Sequence, residues 1–207
     1  MKRASRGFSL IEVLVSLAIL VFGLLGIAGL MVKGQKASYE AYQRQQALAL
    51  AQDMVERIRA NPLGAASYET GVADGAGMPG YNGTISAATQ CVAGACTADQ
   101  LAAFDLQEWD RQLFGSSEQL GGNRIGGILR ARGCIEQTDD PTRYVVSVSW
   151  QGDAPTSAPG AVACKAADGV TDWPVSDCGF GLYGPETQRR MVSLCVSTRR
   201  VAAGGGS

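Results

Sequence analysis

Two sets of residues in this 207-residue chain have types and spacing that could do chemistry: one carboxylate inside an apolar run, and six cysteines. Glu12 is the only ionisable side chain between Arg6 and Lys33. A charge held at bilayer depth costs about 2.5–3.5 kcal/mol on insertion scales, so a carboxylate there implies a partner. The cysteines stand at 91, 96, 134, 164, 178 and 195, all downstream of the apolar run. An even count behind an export-like segment reads as three disulfides formed in an oxidising compartment. A zinc site is disfavoured, because the chain has no histidine and no Cys-x-x-Cys pair.

The lack of histidine also removes the Ser-His-Asp and Cys-His schemes. There is no phosphate-cradling G-x-x-x-x-G-K-[ST] and no H-E-x-x-H. Gly75-Ala76-Gly77-Met78-Pro79-Gly80 matches G-x-G-x-x-G in letters only, since it follows no strand and opens no helix. Asp168, Asp172 and Asp177 lack the spacing and terminal glutamate of a calcium loop, and read as solvated carboxylates. The expectation is a protein that is not an enzyme, with no catalytic residue, no metal and no cofactor. The formal net charge is −1; setting aside Lys2, Arg3 and Arg6 leaves 15 basic against 19 acidic residues, or −4. Nothing in that balance makes a nucleic-acid surface, so DNA binding is possible but unsupported.

The elements around Glu12 follow from hydropathy. Lys2, Arg3 and Arg6 form a basic start, and Phe8–Val32 is an apolar run of about 25 residues, long enough to cross a bilayer. This is about twice the apolar length of a cleavable secretory signal. The basic start keeps the amino terminus cytoplasmic and sends the remainder outward. From Gln35 to Ala60 the pattern turns amphipathic: Ala47, Leu48, Leu50, Ala51, Met54, Val55 and Ile58 recur at helical spacing, and Asn61-Pro62 stops the helix. The expected helix is 8–61, with 8–32 as the membrane or assembly segment, and about 80 Å long at 1.5 Å per residue. Gly23, Gly26, Gly29 and Gly34 have two readings: close helix packing, or a segment able to bend and melt.

Residues 62–201 form the expected head. Its first part, 62–97, reads as a long loop, and Thr97-Ala98-Asp99-Gln100 as a capping box opening a short helix with Trp109 on its apolar stripe. Three segments alternate with period two: 129–136, 144–150 and 191–197. They predict an antiparallel sheet with one apolar face, covered by the amphipathic half of the long helix. Residues 151–188 read as a loop insertion. The preferred disulfides are Cys91–Cys96 across a short loop, Cys164–Cys178 closing the insertion, and Cys134–Cys195 on the polar face. The last of these requires the first and third strands to be neighbours. Residues 202–207 read as a flexible tail.

Gly7-Phe8-Ser9-Leu10-Ile11-Glu12-Val13-Leu14-Val15, behind its basic leader, resembles the processing motif of type IV prepilins and the related pseudopilins. The resemblance implies an α+β type IV pilin-like fold: a long N-terminal helix packed on an antiparallel sheet with disulfide-stapled loops. It also implies a leader, 1–7, removed by prepilin peptidase between Gly7 and Phe8, with the amino group of Phe8 then methylated. Glu12 becomes the assembly residue, placed to meet the new amine of a neighbouring subunit. The layout beyond the motif is similar to that of minor pilins. That likeness implies a subunit that starts in the inner membrane, meets the assembly platform, and joins major and other minor pilins near the tip with an adhesin. Twitching motility and adhesion follow as the processes served. A type II secretion pseudopilin is the alternative, and an unrelated domain on a single-pass anchor a third reading.

Overall fold

The computed structural model describes residues 9–72, 78–80, 91, 96–115, 119–120, 123–124, 127–165 and 168–198. Contacts divide the chain into two units, Met1–Ala41 and Tyr42–Ser207. Helix α1, Leu10–Ala60, runs through both. In the second unit it buries Gln43, Ala47, Ala51, Met54, Val55 and Ile58, a stripe at three- and four-residue spacing. Pro62 opens a 3-10 helix, Pro62–Tyr68, within the stretch expected to be wholly loop. Helix α2, Ala98–Leu113, starts at the expected capping box: Gln100 N–H donates to Thr97 Oγ1 at 3.3 Å, and Thr97 N–H to Gln100 Oε1 at 3.0 Å.

The strands are β1 (Gln119–Leu120), β2 (Asn123–Arg124), β3 (Arg132–Gln137), β4 (Arg143–Gln151), β5 (Val162–Lys165), β6 (Asp172–Trp173) and β7 (Arg189–Ser197). The main sheet is antiparallel with the order β3-β4-β7. Its helix-side face carries Ile135, Tyr144, Val146, Val148, Trp150 and Val196, which join Ala47, Ala51, Met54 and Ile58 in one core. Trp109 of α2 is fully buried there and its Nε1–H donates to Leu50 O at 2.9 Å. Gly133 of β3 makes room for the indole: a Cβ on it would lie 2.5 Å from the Trp109 ring. Leu129, expected to open the first strand, falls outside β3, which starts at Arg132; it is 49% exposed, in a turn with Arg130 at φ 53°.

A partly buried polar knot ties the two helices and the 3-10 helix together. Arg57 pairs with Asp105 at 2.7 Å and with Asp53 at 2.8 Å. The buried Tyr68 hydroxyl donates to the other Asp105 oxygen at 2.5 Å. Burial, then the Asp105 carboxylate, pushes the Tyr68 hydroxyl pKa far above its ordinary value. Asn61 Nδ2–H donates to Ala98 O at 2.7 Å, joining the end of α1 to the start of α2.

Two expectations are corrected by the topology. Cys134 sits on β3 and Cys195 on β7, and β4 lies between them, so Cys134–Cys195 cannot form. The bonds are Cys134–Cys178 and Cys164–Cys195, in place of the expected Cys134–Cys195 and Cys164–Cys178, and Cys91 bonds Cys96. Each of the two long-range bonds therefore pins the 151–188 insertion to an outer strand instead of closing the insertion on itself. The second correction follows from the first. The sheet is not covered on one side only: the insertion, which includes the β5–β6 pair, folds across the other face. Val145, Ser147 and Ser149 are fully buried beneath it. Ser149 meets the Tyr183 hydroxyl at 3.1 Å, and Ser147 meets Ser193 at 2.8 Å, so the buried hydroxyls are satisfied.

Glu136 is half-buried on this second face, where it accepts a hydrogen bond from the Ser176 hydroxyl. Burial raises its carboxyl pKa, the Ser176 bond opposes the shift, and Asp177 and Glu69 add to it. Between the unfolded carboxyl pKa and the raised folded value the native chain holds more protons, so stability falls as pH rises through that window. Glu136→Gln keeps an acceptor for Ser176 and removes the charge. Thermal denaturation should find the variant more stable than the parent at neutral pH, with the difference vanishing below about pH 4, the ordinary glutamate range.

Candidate functional site

Gly7 and Phe8 lie outside the described residues. The description begins at Ser9, whose carbonyl accepts the Glu12 N–H at 3.1 Å and the Val13 N–H at 3.3 Å, starting α1. Glu12 is the acid of the first turn, where a negative charge suits the helix dipole. Its side chain is exposed, and among the described residues it has no ion-pair partner. The surface around it is apolar: Leu10 is 78% exposed, Ile11 67% and Val15 51%. An apolar surface this large is not stable in water and marks contact with lipid or protein. The helix is long and apolar enough to cross a membrane, with an 18-residue window of hydropathy 2.7.

The backbone is helical through Gly23, Gly26, Gly29 and Gly34, and a Cβ added at any of them would meet nothing within 4 Å. Their small size is therefore not used for packing inside this chain. Ser16 and Ser38 satisfy their hydroxyls on the helix itself, on Val13 O and Gly34 O at 2.9 Å each. The apolar part of α1 thus presents one carboxylate, Glu12, a continuous apolar surface and unfilled glycine notches.

The other candidate residues are placed in the head. Cys91, Cys96, Cys134, Cys164, Cys178 and Cys195 are all consumed in disulfides. Asp168 accepts from Val170 N–H, Thr171 N–H and the Thr171 hydroxyl, so it organises its own turn, and those bonds hold its carboxyl below the usual range. Asp172 pairs with Lys165 at 2.7 Å. Among the described residues no three metal-ligating side chains gather. Sequence reasoning missed the Arg57–Asp105–Tyr68 knot. Its one signal was Asp105, an acid at helical spacing from Ala102 and Trp109 on a stripe that is otherwise apolar.

Comparison with known families gives two matches. Residues 2–28 match the prokaryotic N-terminal methylation motif, and residues 29–107 match the Tt1218-like family, described as type IV pilin Tt1218. Together they support a type IV pilin subunit, a structural class of protein. No curated protein and no solved structure matched the chain.

If the glycine notches serve only contacts outside the chain, filling them leaves the isolated protein intact. A combined Gly23→Ala, Gly26→Ala and Gly29→Ala variant in detergent should show helicity by circular dichroism equal to or above the parent, since each change favours helix by about 1 kcal/mol. A loss of helicity would mean that the glycines are needed within the chain.

Proposed function

We propose that the chain is a minor pilin of the PilV kind, made as an inner-membrane precursor and incorporated near the tip of a type IV pilus. The observation that carries this reading is the exposed Glu12, without a cation partner among the described residues, on an apolar helix behind the Gly7–Phe8 junction. Cleavage after Gly7 creates a positive amine about one helical turn from Glu12. Within one chain the two groups lie side by side in sequence. Between chains offset along the axis, the amine of one subunit reaches the carboxylate of the next. Each charge is then neutralised in an apolar surrounding, where removing either partner leaves the other buried and uncompensated.

In this reading, prepilin peptidase, the inner-membrane platform, major and minor pilins and a tip adhesin are the partners, and twitching motility and adhesion are the outcomes. The leader faces the cytoplasm and the head the periplasm before assembly. The three disulfides and the long insertion favour a pilus over a type II secretion pseudopilin, whose heads are commonly shorter and poorer in disulfides.

Mass spectrometry of the chain recovered from sheared pili should find an N-methylated Phe8 at the amino terminus, and Gly7→Val should retain the leader and stay in the membrane; a chain from pili that still begins at Met1 refutes the reading. Glu12→Ala should be processed normally yet be depleted from sheared pili in immunoblots. Removing a buried pair's partner costs about 3–5 kcal/mol, enough to exclude the variant from assembly, so wild-type incorporation would contradict the charge pairing.

A further inference from the structure

The two long-range disulfides interleave along the chain. In chain order the last four cysteines are Cys134, Cys164, Cys178 and Cys195, and the bonds join the first to the third and the second to the fourth. Four cysteines allow three pairings, and each of the other two contains a shorter loop. Cys164 and Cys178 stand 14 positions apart, and Cys178 and Cys195 17, whereas the bonds formed span 31 and 44. The probability of loop closure falls with about the three-halves power of length. In the unfolded chain Cys164–Cys178 therefore closes about three- to six-fold more readily than either bond of the fold. Cys91–Cys96, with a separation of 5, is local and stands outside this competition.

Chain order adds to the bias. Cys195 lies on β7, the last strand, so Cys164–Cys195 must wait for the whole head. An oxidant that meets the emerging head earlier, taking two electrons per bond, finds only Cys134, Cys164 and Cys178 of the four. Closing Cys164–Cys178 leaves Cys134 and Cys195 as the remaining pair, and their oxidation gives a chain without a free thiol. That isomer cannot reach the fold. β4 separates Cys134 from Cys195 by two strand spacings, about 9–10 Å, which is beyond disulfide reach. Disulfide exchange needs an attacking thiolate, and this isomer has none of its own. Once the head has folded, the bonds are also closed to attack, since Cys134 and Cys178 are 0% exposed and Cys164 1%.

We propose that the chain is a substrate of a thiol–disulfide isomerase, a partner carrying a reactive dithiol, which rearranges these bonds before the 151–188 insertion closes over the sheet. The partner's thiolate attacks Cys178 Sγ in Cys164–Cys178, forming a mixed disulfide and releasing Cys164 as thiolate. Cys164 attacks Cys195 in Cys134–Cys195, which makes Cys164–Cys195 and releases Cys134. Cys134 then attacks Cys178 in the mixed disulfide, which makes Cys134–Cys178 and returns the partner's thiolate. Three exchanges convert one oxidised pairing into the other, and no oxidant or reductant is consumed. The third pairing, Cys134–Cys164 with Cys178–Cys195, resolves by an equivalent sequence begun at Cys178. Early oxidation of the head belongs to the exported, pilin reading; the interleaved bonds do not depend on it.

The test uses the full chain in detergent, reduced in denaturant, then diluted and oxidised with diamide, which takes two electrons per bond and leaves no thiol behind. Peptide mass mapping should find Cys164–Cys178 or Cys178–Cys195 in most molecules. Adding a reduced dithiol isomerase in catalytic amount should then make Cys134–Cys178 and Cys164–Cys195 appear at least about ten-fold faster. Cys91→Ser, Cys96→Ser, Cys134→Ser and Cys178→Ser together leave Cys164–Cys195 as the sole bond possible, and its formation should not respond to the isomerase. Complete pairing of the fold with diamide alone, or an equal isomerase effect in that variant, would overturn the proposal. In cells lacking their dithiol isomerase, chain trapped by alkylation should carry the other pairings, and unchanged bonds there would overturn it too. Six reduced cysteines in the parent chain from cells would refute the pilin reading and the step in cells together, while the refolding result stands by itself.

Discussion

One electrostatic constraint governs the apolar part of α1: a carboxylate in an apolar helix is costly until a cation faces it. Glu12 has no such cation among the described residues of its own chain. Its surroundings offer little water to solvate it once they are covered, because the flanking side chains are apolar and exposed. A site of this kind is stable only when a cation completes it. The completing group we propose is the amine that processing creates on a neighbouring subunit. The notched, apolar surface of α1 then supplies the contact area, while the ion pair supplies the register.

The head solves a different problem, that of stabilising a three-stranded sheet. A sheet this narrow is marginal alone and needs cover. The fold covers it twice. On one face α1 and α2 enclose the core, with Trp109 seated against Gly133 and bonded to Leu50 O, and with the Arg57–Asp105–Tyr68 knot fixing the helices to each other. On the other face the insertion is clamped by Cys134–Cys178 and Cys164–Cys195, one bond to each outer strand. Disulfides stabilise chiefly by restricting the unfolded chain, and separations of 44 and 31 residues make both closures substantial.

The sequence made some of this legible and hid the rest for identifiable reasons. The long helix, its stop at Asn61-Pro62, the Thr97 cap and the three main strands are local patterns, governed by hydropathy period and turn chemistry, and each lies where the residues pointed except the start of the first strand, expected at Leu129 and found at Arg132. The disulfide partners are a matter of strand order, which no local pattern carries: once β4 takes the centre, Cys134 and Cys195 are separated by a strand. The cover on the second face was hidden for a related reason. Val145, Ser147 and Ser149 read as a solvent side because two are serines, yet their hydroxyls are paired with Ser193 and Tyr183 and leave no polar surface exposed. At the candidate site, Glu12 stood out by its isolation in the sequence, and the structure adds that its own described chain does not neutralise it.

The most direct measurement of the proposed charge pairing is an internuclear distance across two subunits. Filaments would be assembled with Glu12 carrying a labelled carboxyl carbon and the neighbouring pilin a labelled amino-terminal nitrogen, and the dipolar coupling between them read by solid-state NMR. Charge pairing predicts a contact within about 4 Å, the range of an ion pair. Intact filaments containing this chain with no such coupling would contradict it.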